Sequence, residues 1–174
     1  GNIFIGDQAG YLTTGNTNVF IGYKTGFANT DGYGNSFIGY DAGLSNVSGN
    51  SNTFIGVGAG EDNTASYNTF LGYASGNKNS SGTYNTAVGY SAGSGNSQGS
   101  SNSIFGFEAG KGSTNTHSNN SFFGYQAGKG ITTGGNNVFM GYTAGTANTT
   151  GYNNTVSGYQ AFSANTTGYE NVAI

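Results

Sequence analysis

One glycine recurs along this chain at near-constant distance, and that recurrence limits the folds open to it. Aligned on the glycine that follows a pair of apolar residues, the series runs Gly6, Gly22, Gly39, Gly56, Gly72, Gly89, Gly106, Gly124, Gly141 and Gly158. Successive spacings are 16, 17, 17, 16, 17, 17, 18, 17 and 17 residues. The consensus unit is N-T-F-I-G-Y-x-A-G-x-x-N-T-x-G-x-x. A 17-residue period is too short for paired-helix repeats, propeller blades or leucine-rich units. It fits one coil of a β-solenoid, in which short strands stack in parallel and tight turns join them. Residue types agree. Thr, Val, Ile, Phe and Tyr favour strands, whereas Gly and Asn accept the φ > 0 of tight corners. Helix is disfavoured by 34 glycines in 174 residues.

The expectation is therefore an all-β chain, a parallel β-solenoid of about 17 residues per coil. Residues 1–174 form one repeat domain, with ten complete coils and the start of an eleventh at Asn171. The chain opens and closes inside a repeat, so it reads as a segment of a longer fibre protein. With coils stacked about 4.8 Å apart, ten of them make a rod of roughly 50 Å.

An asparagine precedes each aligned glycine by four residues (Asn2, Asn18, Asn35, Asn52, Asn68, Asn85, Asn102, Asn120, Asn137 and Asn154), and Asn171 takes the same place in the eleventh unit. Stacked side-chain amides can donate to one neighbour and accept from the other, so this column is expected to be a structural ladder at a buried turn.

The apolar pair carries a second inference. Neighbouring strand residues point to opposite faces. One column contains Phe4, Phe20, Phe37, Phe54, Phe70, Ala87, Ile104, Phe122, Phe139, Val156 and Ala173. The other contains Ile5, Ile21, Ile38, Ile55, Leu71, Val88, Phe105, Phe123, Met140, Ser157 and Ile174. A thin coil has a single interior. We assign the isoleucine column to that interior, and the phenylalanine column to an interface with identical chains around a common axis. A wet phenylalanine column would expose more apolar surface than a soluble monomer usually carries. The alternative is a wide coil whose strand bends at the glycine and takes both columns inside.

The residue after the glycine is often tyrosine (Tyr23, Tyr40, Tyr73, Tyr90, Tyr125, Tyr142, Tyr159), which reads as a stacked ladder or as a strip for sugar rings. The next position varies freely (Gln8, Lys24, Asp41, Gly58, Ala74, Ser91, Glu108, Gln126, Thr143, Gln160) and reads as solvent-exposed. The segment after the second glycine, such as Ala147–Gly151, absorbs the length changes and reads as an outer loop. Its longest version, from Lys111 to Asn120, holds His117, the sole histidine, to which no role is assigned.

Composition narrows the function. Four lysines, no arginine and a net charge of −3 give no footprint for nucleic acid. No apolar run reaches the roughly 18 residues of a membrane-spanning helix. Acidic residues are few and scattered, there is no cysteine, and the glycine spacing lacks the Lys-Ser/Thr of a phosphate loop. No catalytic, cofactor or metal site is expected, and the chain does not read as an enzyme. Asn-x-Ser/Thr triplets begin at Asn46, Asn79, Asn119, Asn148, Asn153 and Asn165, as chance alone produces in such a composition.

The strings NTAVG (85–89) and NVAI (171–174) resemble head repeats of trimeric autotransporter adhesins, the YadA-like group. The longer string NTVSGYQAFSANTTGYENVAI (154–174) is similar to repeats of bacterial surface proteins and phage tail fibres. That resemblance implies a left-handed parallel β-roll, three chains about one axis, and a place on a cell surface, outside the cell or on a virion fibre. Two departures stand out: these coils are about three residues longer than the adhesin head repeat, and phenylalanine replaces a small apolar residue, which could widen the ring beyond three chains. The resulting expectation is a structural shaft or head of an extracellular attachment fibre that contacts a cell-surface glycan or protein. Two alternatives accompany it: an ice-binding solenoid, disfavoured by the interrupted row Thr30, Val47, Thr64, Ser80, Ser97, and a glycan-binding tail-fibre segment.

Overall fold

A three-residue strand can place only its middle side chain on one face and its two flanking side chains on the other. This simple geometry builds the whole molecule. The computed structural model describes residues 1–112 and 115–174, so Ser113 and Thr114 of the longest connecting segment lie outside the described residues. Among the described residues there are eleven strands: β1 (Ile3–Ile5), β2 (Val19–Ile21), β3 (Ser36–Ile38), β4 (Thr53–Ile55), β5 (Thr69–Leu71), β6 (Thr86–Val88), β7 (Ser103–Phe105), β8 (Ser121–Phe123), β9 (Val138–Met140), β10 (Thr155–Ser157) and β11 (Val172–Ala173). Each pairs in parallel with its successor, in the order β1 to β11, as one sheet. Register follows the repeat: Phe20 pairs with Phe37, Phe54 with Phe70, Ile104 with Phe122. The chain is a parallel β-solenoid of about 17 residues per turn and about ten turns.

Each strand ends at the aligned glycine because the backbone there takes φ between +130° and +141°, a region open to glycine. Space matters as well. A Cβ on Gly56 would lie 2.4 Å from the carbonyl oxygen of Gly72 in the next coil.

The two apolar columns occupy the reverse of their expected sides. Phe20, Phe37, Phe54, Phe70, Ile104, Phe122, Phe139 and Val156 are at most 2% exposed, and they fill the chain's own interior. Phe4, in the first coil, is 39% exposed. Their neighbours Ile5, Ile38, Ile55, Leu71, Phe123 and Met140 face outward with 36–57% exposure. The interchain role assigned to the phenylalanine column is therefore corrected: those rings are covered within one chain. The strand does not bend to take in both columns.

The reason lies six residues downstream. A phenyl ring reaches across the thin coil and lies against the second glycine of the unit. The interior is thus one ring plus one backbone thick, and alanines at Ala42, Ala59, Ala92, Ala109, Ala127 and Ala144 close its flank with no exposed surface. Rings stack from coil to coil, with centroids 4.9 Å apart for Phe20–Phe37, 4.6 Å for Phe37–Phe54 and 5.1 Å for Phe54–Phe70. Burying each ring contributes about 2–3 kcal/mol. The stack breaks at Ala87 and Ile104 and resumes with Phe122–Phe139. Beside Ala87, Gly93 and Ile104 a cavity of about 10 Å³ remains, close to the volume one water needs.

Candidate functional site

The Asn2-to-Asn171 column is a ladder of a particular kind. Each Oδ1 accepts the backbone N–H of the next rung: Asn18 from Asn35 at 3.0 Å, Asn35 from Asn52 at 2.9 Å, Asn52 from Asn68 at 2.9 Å, Asn154 from Asn171 at 3.1 Å. From Asn2 to Asn154 each Nδ2 donates to a carbonyl at the far end of its own coil, as Asn35 does to Gly49 at 2.7 Å and Asn137 to Gly151 at 2.9 Å. Amide-to-amide bonds join only later rungs, such as Asn102 Nδ2 to Asn85 Oδ1 at 2.9 Å and Asn171 Nδ2 to Asn154 Oδ1 at 2.9 Å. The column thus serves mainly to satisfy backbone groups at a buried turn.

A second asparagine column went unread in the sequence. Asn29, Asn46, Asn63, Asn79, Asn96 and Asn148 are at most 4% exposed, although they lie in the segment expected to be an outer loop. Their side chains fold inward, and four of them hold the corner: Asn29 Nδ2 donates to the Gly32 carbonyl at 3.1 Å, Asn63 to Ala65 at 2.7 Å, Asn79 to Gly82 at 2.8 Å and Asn96 to Gly99 at 3.4 Å, whereas the amides of Asn46 and Asn148 are buried without a partner among the described residues. The glycosylation triplets at Asn46, Asn79 and Asn148 are consequently closed to modification in the folded chain.

His117 is also inside, fully buried. Its Nδ1 lies 3.2 Å from Asn102 Oδ1 and its Nε2 3.4 Å from the Gly110 carbonyl, while its ring meets Phe122 edge-on at 5.7 Å. Its backbone carbonyl receives Asn102 Nδ2 at 3.0 Å, the role that a glycine carbonyl plays in most other coils. Burial holds its pKa at about 4, so the ring is neutral near pH 7.

The freely varying position after the tyrosine is not simply a solvated one. Every residue there, from Gln8 to Gln160, has φ between 49° and 63°, and most are half-buried. Side chains vary while the backbone does not.

Two outward features could meet a partner. One is the Ile5–Met140 column on the face of the sheet. The other is the aromatic ladder one residue beyond the glycine, with rings stacked at 5.1 Å for Tyr23–Tyr40, 5.1 Å for Tyr73–Tyr90 and 4.9 Å for Tyr125–Tyr142. The ladder has a gap where Val57 stands in place of a ring. A cleft of about 160 Å³ opens there between Tyr40 and Tyr73. Ion pairs are few among the described residues. The main cluster centres on Glu108, whose carboxyl is held down at about pKa 2 by hydrogen bonds from Lys111 and Lys129.

Among the described residues no group of three or more His, Cys, Asp or Glu side chains is placed to hold a metal ion. Among the described residues there is no helix long and apolar enough to cross a membrane. The threonine row is turned to internal use: Thr14, Thr30, Thr64, Thr132 and Thr149 donate their hydroxyls to backbone carbonyls of the next coil at 2.6–3.2 Å. No protein-family model matches this chain, and no curated protein and no solved structure matches it either.

Proposed function

We propose that this chain is a structural module, the shaft or head of an extracellular attachment fibre, in which identical rods pack side by side and present a surface to another cell. The observation that carries the reading is the outward Ile5, Ile38, Ile55, Leu71, Phe123 and Met140 column. It runs as one apolar stripe from Ile5 in the first coil to Met140 in the ninth, before Ser157 interrupts it, and a contiguous stripe of this kind marks an interaction surface. Repeated subunits about an axis supply a matching stripe, and the motifs NTAVG and NVAI favour three chains. Interchain packing thus passes to the isoleucine column, because the phenylalanines are already covered. The ladders of backbone and asparagine bonds support a stiff rod that salt affects little, since so few charges take part.

The ice-binding alternative loses weight because the threonine hydroxyls are bonded internally. Sedimentation equilibrium tests the main reading. An assembly that falls apart when Ile38 and Leu71 are both changed to Glu, with the far-ultraviolet spectrum unchanged, is the expected result. A stable monomer of the unmodified chain would overturn the side-by-side packing.

A further inference from the structure

The cleft between Tyr40 and Tyr73 has walls of a specific chemistry. In the fourth coil the ladder position carries Val57, and the following position carries Gly58, so two consecutive side chains are cut short. Rings in adjacent coils stack at 5.1 Å, so Tyr40 and Tyr73 stand about 10 Å apart, two coil spacings. One flat group fits midway, at the ladder's own stacking distance. The flank is acidic. Asp41 and Glu61 line the cleft with Asn77, and the Glu61 Oε2 leans to 3.5 Å from where a Gly58 Cβ would be. Asp41 Oδ1 is buried with no hydrogen-bond partner. Neither carboxylate has an ion-pair partner among the described residues, and Lys78 is held by Asp62 at 2.8 Å. The ladder also meets a cation one coil above the cleft's upper wall, where the Lys24 ammonium lies 5.3 Å from the Tyr23 ring centre.

We propose that this cleft binds the guanidinium group of an arginine side chain presented by a partner protein. Guanidinium is flat, so it stacks on aromatic faces, and it forks onto carboxylates. A pyranose ring would also stack here, but it would bring no positive charge to Asp41 and Glu61, neither of which makes an ion pair among the described residues. This inference goes beyond the structural reading above and does not depend on the number of chains in the assembly.

Amide NMR spectra of the whole chain test it, with a blocked Gly-Arg-Gly peptide and its neutral citrulline counterpart as probes. The arginine peptide is expected to shift the Gly58 and Ala74 amides saturably. The citrulline peptide, and the Asp41→Asn/Glu61→Gln variant with the arginine peptide, should bind about tenfold more weakly or worse, as loss of a charge-assisted fork implies. Val57→Tyr restores the missing rung and should abolish the shifts while leaving the remaining spectrum in place. Equal binding of citrulline, undiminished binding by Val57→Tyr, no saturable shift with the arginine peptide, or shifts produced by neutral oligosaccharides alone would each overturn the proposal.

Discussion

Gly43 lies flat against the ring of Phe37: a Cβ on the glycine would come within 2.5 Å of the ring's Cε2. The glycine also has φ +61°. Gly43→Ala therefore meets two penalties, left-handed backbone strain and overpacking, of about 2–5 kcal/mol together. Urea unfolding measures it. Phe37→Ala in the same chain should relieve the overpacking share, so the two changes together should cost less than their sum.

Asn52→Ala removes the acceptor of the Asn68 N–H and one donor to the Ala65 carbonyl. Asn63 still donates to that carbonyl, so the main loss is one buried, unpaired N–H. A destabilisation of about 2–4 kcal/mol is expected from the lost bonds and the unmet donor. Hydrogen exchange should place the first failure at the Asn68 amide.

Thr143 is β-branched and sits at φ 51°, a costly backbone region for such a residue. Gly58 occupies the same position of its own coil at φ 63°. Thr143→Gly should therefore stabilise the chain by about 0.5–1 kcal/mol, after the unfolded-state entropy of glycine is counted. Thermal unfolding that shows a loss instead would place the value of this site in its side chain.

His117 has a pKa near 4 in the folded chain, against 6.5 when unfolded. The unfolded chain thus binds the proton more readily between these values, and stability falls as pH drops from 6.5 to 4. The contribution is complete above pH 6.5 and reaches about 3 kcal/mol at most across the window. His117→Gln should flatten the urea midpoint over that range. An unchanged slope would assign the acid sensitivity to other groups.

Much of the fold was written in the period. The glycine spacing fixes coil length, parallel pairing and register, and the Asn2–Asn171 column marks the turn that needs internal bonds. Which apolar column faced inward was harder, because alternation separates two faces without labelling them. A clue was present: Phe37 recurs six residues before Gly43, large beside small. The tenth coil repeats it in reverse, where Val156 replaces the ring and Phe162, packed against the core, replaces the glycine. Asn46 and His117 were hidden by the variable length of their segment, since length variation suggests an outer loop even when its polar side chains turn inward. The cleft at Val57 was visible only as a missing tyrosine, and its acidic walls come from coils that the sequence separates by some 20 residues.

The bonds that hold one coil to the next all run along the rod, and the covalent chain crosses each junction once. Tension between the two ends consequently meets them one coil at a time, as a zip rather than as a shear plane. Each step frees about 17 residues, or close to 55 Å of extended chain. A rod built this way yields to a pull by lengthening in equal increments, and the coils still wound stay intact while the freed ones take up the load.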